Sequence, residues 1–297
     1  MIVFPNAKIN LGLHVVRKRN DGYHDIETAF YPVPIYDILE VVVTGSDNAI
    51  GVDKSFAPEI QPSTTSLVLK SGIEVEWSSS GLVVDGTPDR NLCLQACELY
   101  DLKFGLPGNL AVHLHKIIPM GAGLGGGSAD AAFMLKTLND FSGLRADNEA
   151  LLKMAATLGS DCSFFIKNTP VLATGRGELL GPCGITLSGY QIVIVKPAIH
   201  LNTKTAFEGI RPVQPAISIS QIMSAPVESW KNILKNDFEP VMFTKYPEIA
   251  RIKQVFYDNG AAYASMTGSG SAVYGLFKGT LPDPGLFPGS FYFSASL

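Results

Sequence analysis

The sequence has little that would mark a metalloprotein or a disulfide-stapled domain. Its four cysteines, Cys93, Cys97, Cys162 and Cys183, form no CxxC pair, and no histidine cluster supplies the missing ligands of a zinc site. Cys93 and Cys97 stand one helical turn apart and read as small buried residues. Reduced thiols and a cytoplasmic location are expected. No apolar run approaches the length of a membrane span, and Met1–Asn6 turns polar too soon for a secretory signal, so no membrane partner is expected. Long basic blocks are missing and the formal net charge is −4, which argues against a nucleic-acid surface as the main business of the chain. Charged residues are sparse at 17%, against 46% hydrophobic, so the chain can bury a real core and disorder is not expected.

What is present is concentrated in one junction. Residues 119–130 read Pro-Met-Gly-Ala-Gly-Leu-Gly-Gly-Gly-Ser-Ala-Asp, with five glycines in the seven positions from Gly121 to Gly127. A helical pattern follows, with Ala131, Ala132, Leu135 and Leu138 at helical spacing and stop signals at Asn139 and Gly143. Glycines let a backbone turn its N–H groups inward, and a helix start adds unpaired donors and partial positive charge, so the junction predicts a phosphate cradle. Ser128 stands where a hydroxyl can cap the helix or touch phosphate or a metal. No Gly-Lys-Ser/Thr ends the string, which excludes a Walker A loop. No matching βαβ pattern precedes it, which disfavours a dinucleotide fingerprint.

Around this junction the chain alternates strand and helix signals. Lys8 to Val16 predicts a strand with Ile9, Leu11, Leu13 and Val15 on an apolar face and Lys8, Asn10 and His14 opposite. Asn20-Asp21-Gly22 predicts a tight turn, followed directly by Tyr23 and His24. Strands are expected at 37–44, 110–116, 171–174 and 191–195, with short candidates at 66–70, 72–77 and 81–84 inside a Gly-, Ser- and Pro-rich stretch over 45–90. Helices are expected from Asn91, from Asp147 to a stop at Gly159, and over 203–209. Residues 211–227 read as a connection. Residues 260–278 carry Thr267-Gly268-Ser269-Gly270-Ser271 between two apolar segments.

The order of Pro5-Asn6-Ala7-Lys8-Ile9-Asn10-Leu11, the central glycine loop and Thr267-Gly268-Ser269-Gly270 resembles the GHMP small-molecule kinase superfamily. Arg19-Asn20-Asp21-Gly22-Tyr23-His24, the triple glycine before Ser128 and Leu158-Gly159-Ser160-Asp161 are similar to its branch that phosphorylates a cytidyl alcohol. Ala129 departs from the second serine usual in the loop, and Cys162-Ser163 from the usual Val-Pro. The resemblance implies an α+β, two-domain GHMP kinase fold with the active site in the inter-domain cleft. It implies an ATP-binding domain over 1–170 and a domain contributing to substrate binding over 171–297. The implied reaction is ATP-dependent phosphorylation of the 2-hydroxyl of 4-diphosphocytidyl-2-C-methyl-D-erythritol, in isoprenoid precursor biosynthesis.

By that resemblance Asp161 is the base and Lys8 steers the hydroxyl or neutralises charge at the γ-phosphoryl. Pro119, Met120, Gly121, Ala122, Gly123, Leu124, Gly125, Gly126, Gly127, Ser128 and Ala129 bind ATP, with Asn91 near the nucleotide. Tyr23 and Phe207 stack on the cytosine of a cytidine diphosphate substrate, His24 reads it, and Asn10 and Thr203 contact the alcohol and diphosphate. Mg²⁺ is expected with ATP, with no carboxylate ligand assigned. A kinase for another small alcohol, such as homoserine or mevalonate, and a non-catalytic nucleotide-sensing module are the alternatives. The sequence assigns no oligomeric state.

Overall fold

The computed structural model describes residues 1–44, 64–84, 86–201 and 203–297, with the backbone alone at 203–205. Along the chain the strands are Ile2–Val3 (β1), Asn6–Lys18 (β2), His24–Tyr36 (β3), Ile38–Thr44 (β4), Thr65–Val68 (β5), Glu74–Gly81 (β6), Asn109–Lys116 (β7), Val171–Thr174 (β8), Leu179–Pro182 (β9), Gln191–Lys196 (β10), Tyr263–Met266 (β11), Val273–Phe277 (β12) and Phe291–Ser296 (β13). The helices are Leu92–Phe104 (α1), Gly126–Phe141 (α2), Asn148–Leu158 (α3), Cys162–Lys167 (α4), Thr203–Glu208 (α5), Ile219–Ile222 (α6), Trp230–Ile233 (α7), Glu239–Lys245 (α8) and Pro247–Asp258 (α9).

The chain forms two compact units that interleave. One comprises Met1–Asn6, Tyr36–Ile118 and Gly126–Lys167; the other comprises Ala7–Ile35, Pro119–Gly125 and Asn168–Leu297. The sequence draws one boundary near residue 170, whereas packing clusters the N-terminal hairpin and half of the glycine loop with the C-terminal segment. Composition changes along a chain carry no information about such a return.

The first unit is a five-stranded sheet in the order β1-β4-β7-β6-β5, antiparallel except for the parallel pair β6–β7. A parallel pair needs a crossover, and α1 supplies it. Strand β7 alternates strictly: Leu110, Val112, Leu114 and Lys116 are buried while the residues between them are more open. Helices α1 to α4 pack against one another, and α2 meets β4. Two of these helices carry side-chain caps. Asn91 Oδ1 accepts from the N–H of Cys93 at 2.9 Å, and Asp147 Oδ1 accepts from Ala150 at 2.8 Å. Of the three short strands expected over 45–90, two form, as β5 and β6; residues 45–63 and 85 lie outside the described residues.

The second unit holds two four-stranded sheets, β11-β12-β10-β13 and β2-β3-β8-β9. Its core gathers Leu13 and Val15 of β2, Val193 and Val195 of β10, and Phe238, Ile252, Phe256 and Phe277. The sequence predicts one apolar and one polar face for β2, but both faces are buried from Asn6 to Val15. Lys8 Nζ donates to Asn10 Oδ1 and Asn10 Nδ2 to Thr28 Oγ1, which is how burial of such groups is tolerated.

Candidate active site

The glycine loop is built from both of its neighbours in the second unit. The N–H of Lys8 donates to the carbonyl of Leu124 at 2.9 Å, and the N–H of Ala272 to the carbonyl of Ala122 at 3.2 Å. The Thr267 hydroxyl donates to the carbonyl of Gly123 at 3.0 Å. Three successive loop carbonyls are thereby engaged by the protein. Gly123 has φ +76°, and a Cβ there would collide with the Thr267 carbonyl, so the close approach of the two loops requires glycine. The Thr267–Ser271 segment therefore braces the glycine loop. Pro119, Ala122 and Leu124 are buried, Met120 and Gly125 are half-buried, and Gly121 is exposed beside His200.

Lys8 and Asn10 lie side by side on β2. Lys8 is 2% exposed, its Nζ donating to Asn10 Oδ1 at 2.6 Å and lying 4.9 Å from the centre of the Phe30 ring. Asn10 is held on every side: its N–H donates to Thr267 Oγ1 at 3.0 Å, its Nδ2 to Thr28 Oγ1 at 3.0 Å, and its carbonyl accepts from Tyr274 Oη at 2.9 Å. Charge and amide are thus fixed next to the loop backbone. Thr28 and Tyr274 escape a reading of the sequence because only tertiary contact brings them to β2, whereas Thr267 stands in the motif that the sequence singles out.

The aromatic residues form a second cluster in the same unit. His24 stacks on Phe207, centroids 4.7 Å apart and planes 16° from parallel, and Phe207 meets Phe238 edge-on at 4.8 Å. Burial, and then the charge of Lys18, lowers the His24 pKa below the ordinary histidine value. Tyr23 is 57% exposed, with the Arg176 guanidinium 5.0 Å from its ring centre. The turn before it closes through the N–H of Arg19 donating to the Tyr23 carbonyl at 2.8 Å, with Gly22 at φ +85°. Phe207 and His24 are thus joined directly, while Tyr23 offers its ring to solvent and to Arg176. Thr203 opens α5, and its side chain lies outside the described residues.

In the first unit, α2 begins inside the triple glycine, at Gly126. Gly127 is exposed, Ser128 half-buried and Ala129 buried. Ser128 shares a hydrogen bond with the Cys162 thiol, which burial pushes up to about 12, Ser128 opposing and the neighbouring Asp161 charge adding. The first turn of α2 and Asp161 are therefore drawn to one place through Cys162. Asp161 is half-buried in the turn that precedes α4, its carbonyl accepting from Phe164 N–H at 3.2 Å. Asn91 spends its side-chain oxygen on capping α1. Among the described residues no group of three or more His, Cys, Asp or Glu gathers as a metal cage, and no helix is long and apolar enough to cross a membrane.

Residues 91–168 match the model for the GHMP kinases N terminal domain, and residues 218–283 match GHMP kinases C terminal. A Bacteroides fragilis protein named 4-diphosphocytidyl-2-C-methyl-D-erythritol kinase is 46% identical over 94% of this chain and 92% of its own length. A protein of the same name from Bacteroides thetaiotaomicron is 46% identical over 95% of each chain. A crystal structure of 4-(cytidine 5'-diphospho)-2C-methyl-D-erythritol kinase superposes with a TM-score of 0.70 at 31% identity, covering 93% of this chain and 90% of that one. Two matching domains, and relatives of this identity over more than nine-tenths of each chain, lead to one assignment: the chain belongs to the GHMP kinase family.

Proposed function

We propose that this protein transfers the γ-phosphoryl group of ATP to the 2-hydroxyl of 4-diphosphocytidyl-2-C-methyl-D-erythritol. The observation that carries the reading is identity of 46% over nearly the whole chain to relatives named for that kinase activity. In-line phosphoryl transfer needs a held nucleotide, an oriented alcohol and a proton acceptor, with fixed positive groups where charge spreads. The amides of Gly121–Ser128 bind the phosphates. Asp161 accepts the hydroxyl proton, and Lys8, held by Asn10, matches the negative charge. Residues of the aromatic cluster take the cytosine: Tyr23 and Phe207 by stacking, His24 by hydrogen bonding as a neutral imidazole, which its lowered pKa favours. Asn10 and Thr203 serve the alcohol and diphosphate.

Mg²⁺ would enter with ATP, held by phosphate oxygens and water, with the Ser128 hydroxyl as one candidate contact from this chain, and would neutralise charge on the phosphates. Phosphate and water oxygens are donors that suit this hard cation. The four free thiols suit a reducing compartment such as the cytoplasm.

The test is ADP release by the purified protein with each of three alcohols: the cytidyl substrate, homoserine and mevalonate. Turnover with the first alone is expected, and turnover with homoserine or mevalonate alone would reverse the substrate assignment. Asp161→Asn and Lys8→Met, the latter preserving buried volume, are expected to fold and to lose about 10²- to 10⁴-fold in kcat. Near-normal kcat in Asp161→Asn would remove it as the base. ATP binding without transfer to any alcohol would instead indicate a nucleotide-sensing role.

A further inference from the structure

Beneath the start of α2 lies a charged trio that the reaction as described does not use. Lys116, the last residue of β7, donates from Nζ to Asp130 Oδ2 at 2.7 Å and to Asp37 Oδ2. Asp37 Oδ1 accepts the N–H groups of Ile117 and Ile118 at 2.6 and 2.8 Å. Exposure of the three side chains is 1% for Lys116, 0% for Asp37 and 3% for Asp130. A buried ion cluster of this kind contributes little net stability, because desolvation offsets the attraction, and well-packed apolar residues would serve a core as well. Its value is directional. Hydrogen bonds from a fixed ammonium fix three segments against one another.

Those segments bracket the glycine loop. Lys116–Ile118 lead into it, and Asp130 sits in α2, within two turns of its start. A Cβ on Gly126 would come within 2.8 Å of Lys116 Nζ and 2.9 Å of Ile118, so the helix start rests directly on the ammonium. We propose that Lys116, clamped by Asp37 and Asp130, is a positioning residue for nucleotide binding, tying the strand that enters the loop to the helix that leaves it. The proposal rests on the reading that this helix start receives the ATP phosphates.

Burial pushes Asp130 up to about 7, Lys116 opposing and Asp37 adding, and Asp130 Oδ1 has no hydrogen-bond partner among the described residues. Burial disfavours the Lys116 charge, but Asp130 and Asp37 outweigh it and hold that ammonium above its ordinary pKa. From α1, Cys93 faces Asp130, and burial keeps its thiol well above the ordinary range and therefore neutral.

The experiment measures Mg·ATP binding to the full chain by calorimetry, without alcohol, and separately ADP release with the cytidyl alcohol. Lys116→Met is expected to weaken Mg·ATP binding at least tenfold, with kcat at saturating ATP within threefold and KM for the alcohol unchanged. Asp130→Asn keeps an acceptor for Lys116 and is expected to bind Mg·ATP within threefold of wild type, whereas Asp130→Leu, which removes that acceptor, is expected to weaken binding at least tenfold. A folded Lys116→Met variant with unchanged Mg·ATP affinity overturns the proposal. Should that variant fail to fold, unchanged Mg·ATP affinity in Asp130→Leu overturns it instead. Wild-type protein that binds Mg·ATP but leaves the cytidyl alcohol untouched would refute the substrate assignment while leaving this test intact.

Discussion

Gly127 has no internal reason to be glycine. A Cβ at Gly126 would press on Lys116, but one at Gly127 would meet nothing within 4 Å, and the residue is exposed in the first turn of α2. Alanine is preferred over glycine in helices by about 1 kcal/mol, less near an end, so Gly127→Ala should stabilise the protein by roughly 0.5 kcal/mol. In a protein of this size that corresponds to a rise in Tm on the order of 1–2 °C. If a phosphate oxygen approaches the backbone here, the added methyl group blocks it. Loss of one charge-assisted hydrogen bond costs about 2 kcal/mol, which is roughly a 30-fold rise in KM for ATP. Thermal denaturation followed by circular dichroism reads the first effect, and ADP release against ATP concentration reads the second. The expected result is a variant that is more stable and binds ATP worse. A KM for ATP within twofold of wild type would refute phosphate approach at this residue.

Two other outcomes test neighbouring parts of the site. Thr267→Val removes the acceptor of the buried Asn10 N–H and the donor to Gly123, and should cost about 1–3 kcal/mol in urea denaturation; an unchanged midpoint would mean that the two loops do not depend on this hydroxyl. Because burial lowers the His24 pKa, the unfolded chain takes up its proton first as pH falls. His24 therefore lowers stability progressively below about pH 6.5, until its folded pKa is passed. KM for the cytidyl alcohol should rise only at lower pH, as the folded pKa itself is passed, and His24→Gln should remove that acid limb; an acid limb that survives the substitution would assign it to another group.

Local pattern made much of this protein legible in advance. Alternation marked β2 and β7. The cap residues Asn91 and Asp147 and the stop at Gly159 marked α1 and α3, because these signals act within a few residues of where they stand. The glycine string announced a helix start with free backbone access for the same reason. Less visible were β9, β13 and the helices between Trp230 and Asp258, whose short amphipathic pieces take their form from the sheet they cover.

What the sequence determined by itself was the run of local conformations and the family to which they add up. Tertiary structure decided which polar groups are interior. Lys8 reads as a surface lysine on an open strand face, yet it is buried, because β3 supplies the Phe30 ring and Asn10 supplies its acceptor. Lys116 reads as the polar end of a strand and Asp37 as the start of one. They meet across 79 positions with a second carboxylate from α2. Hydrophobic periodicity tells which face of an element is apolar, but a buried charge depends on a counter-charge delivered by another segment, and no local pattern encodes that delivery.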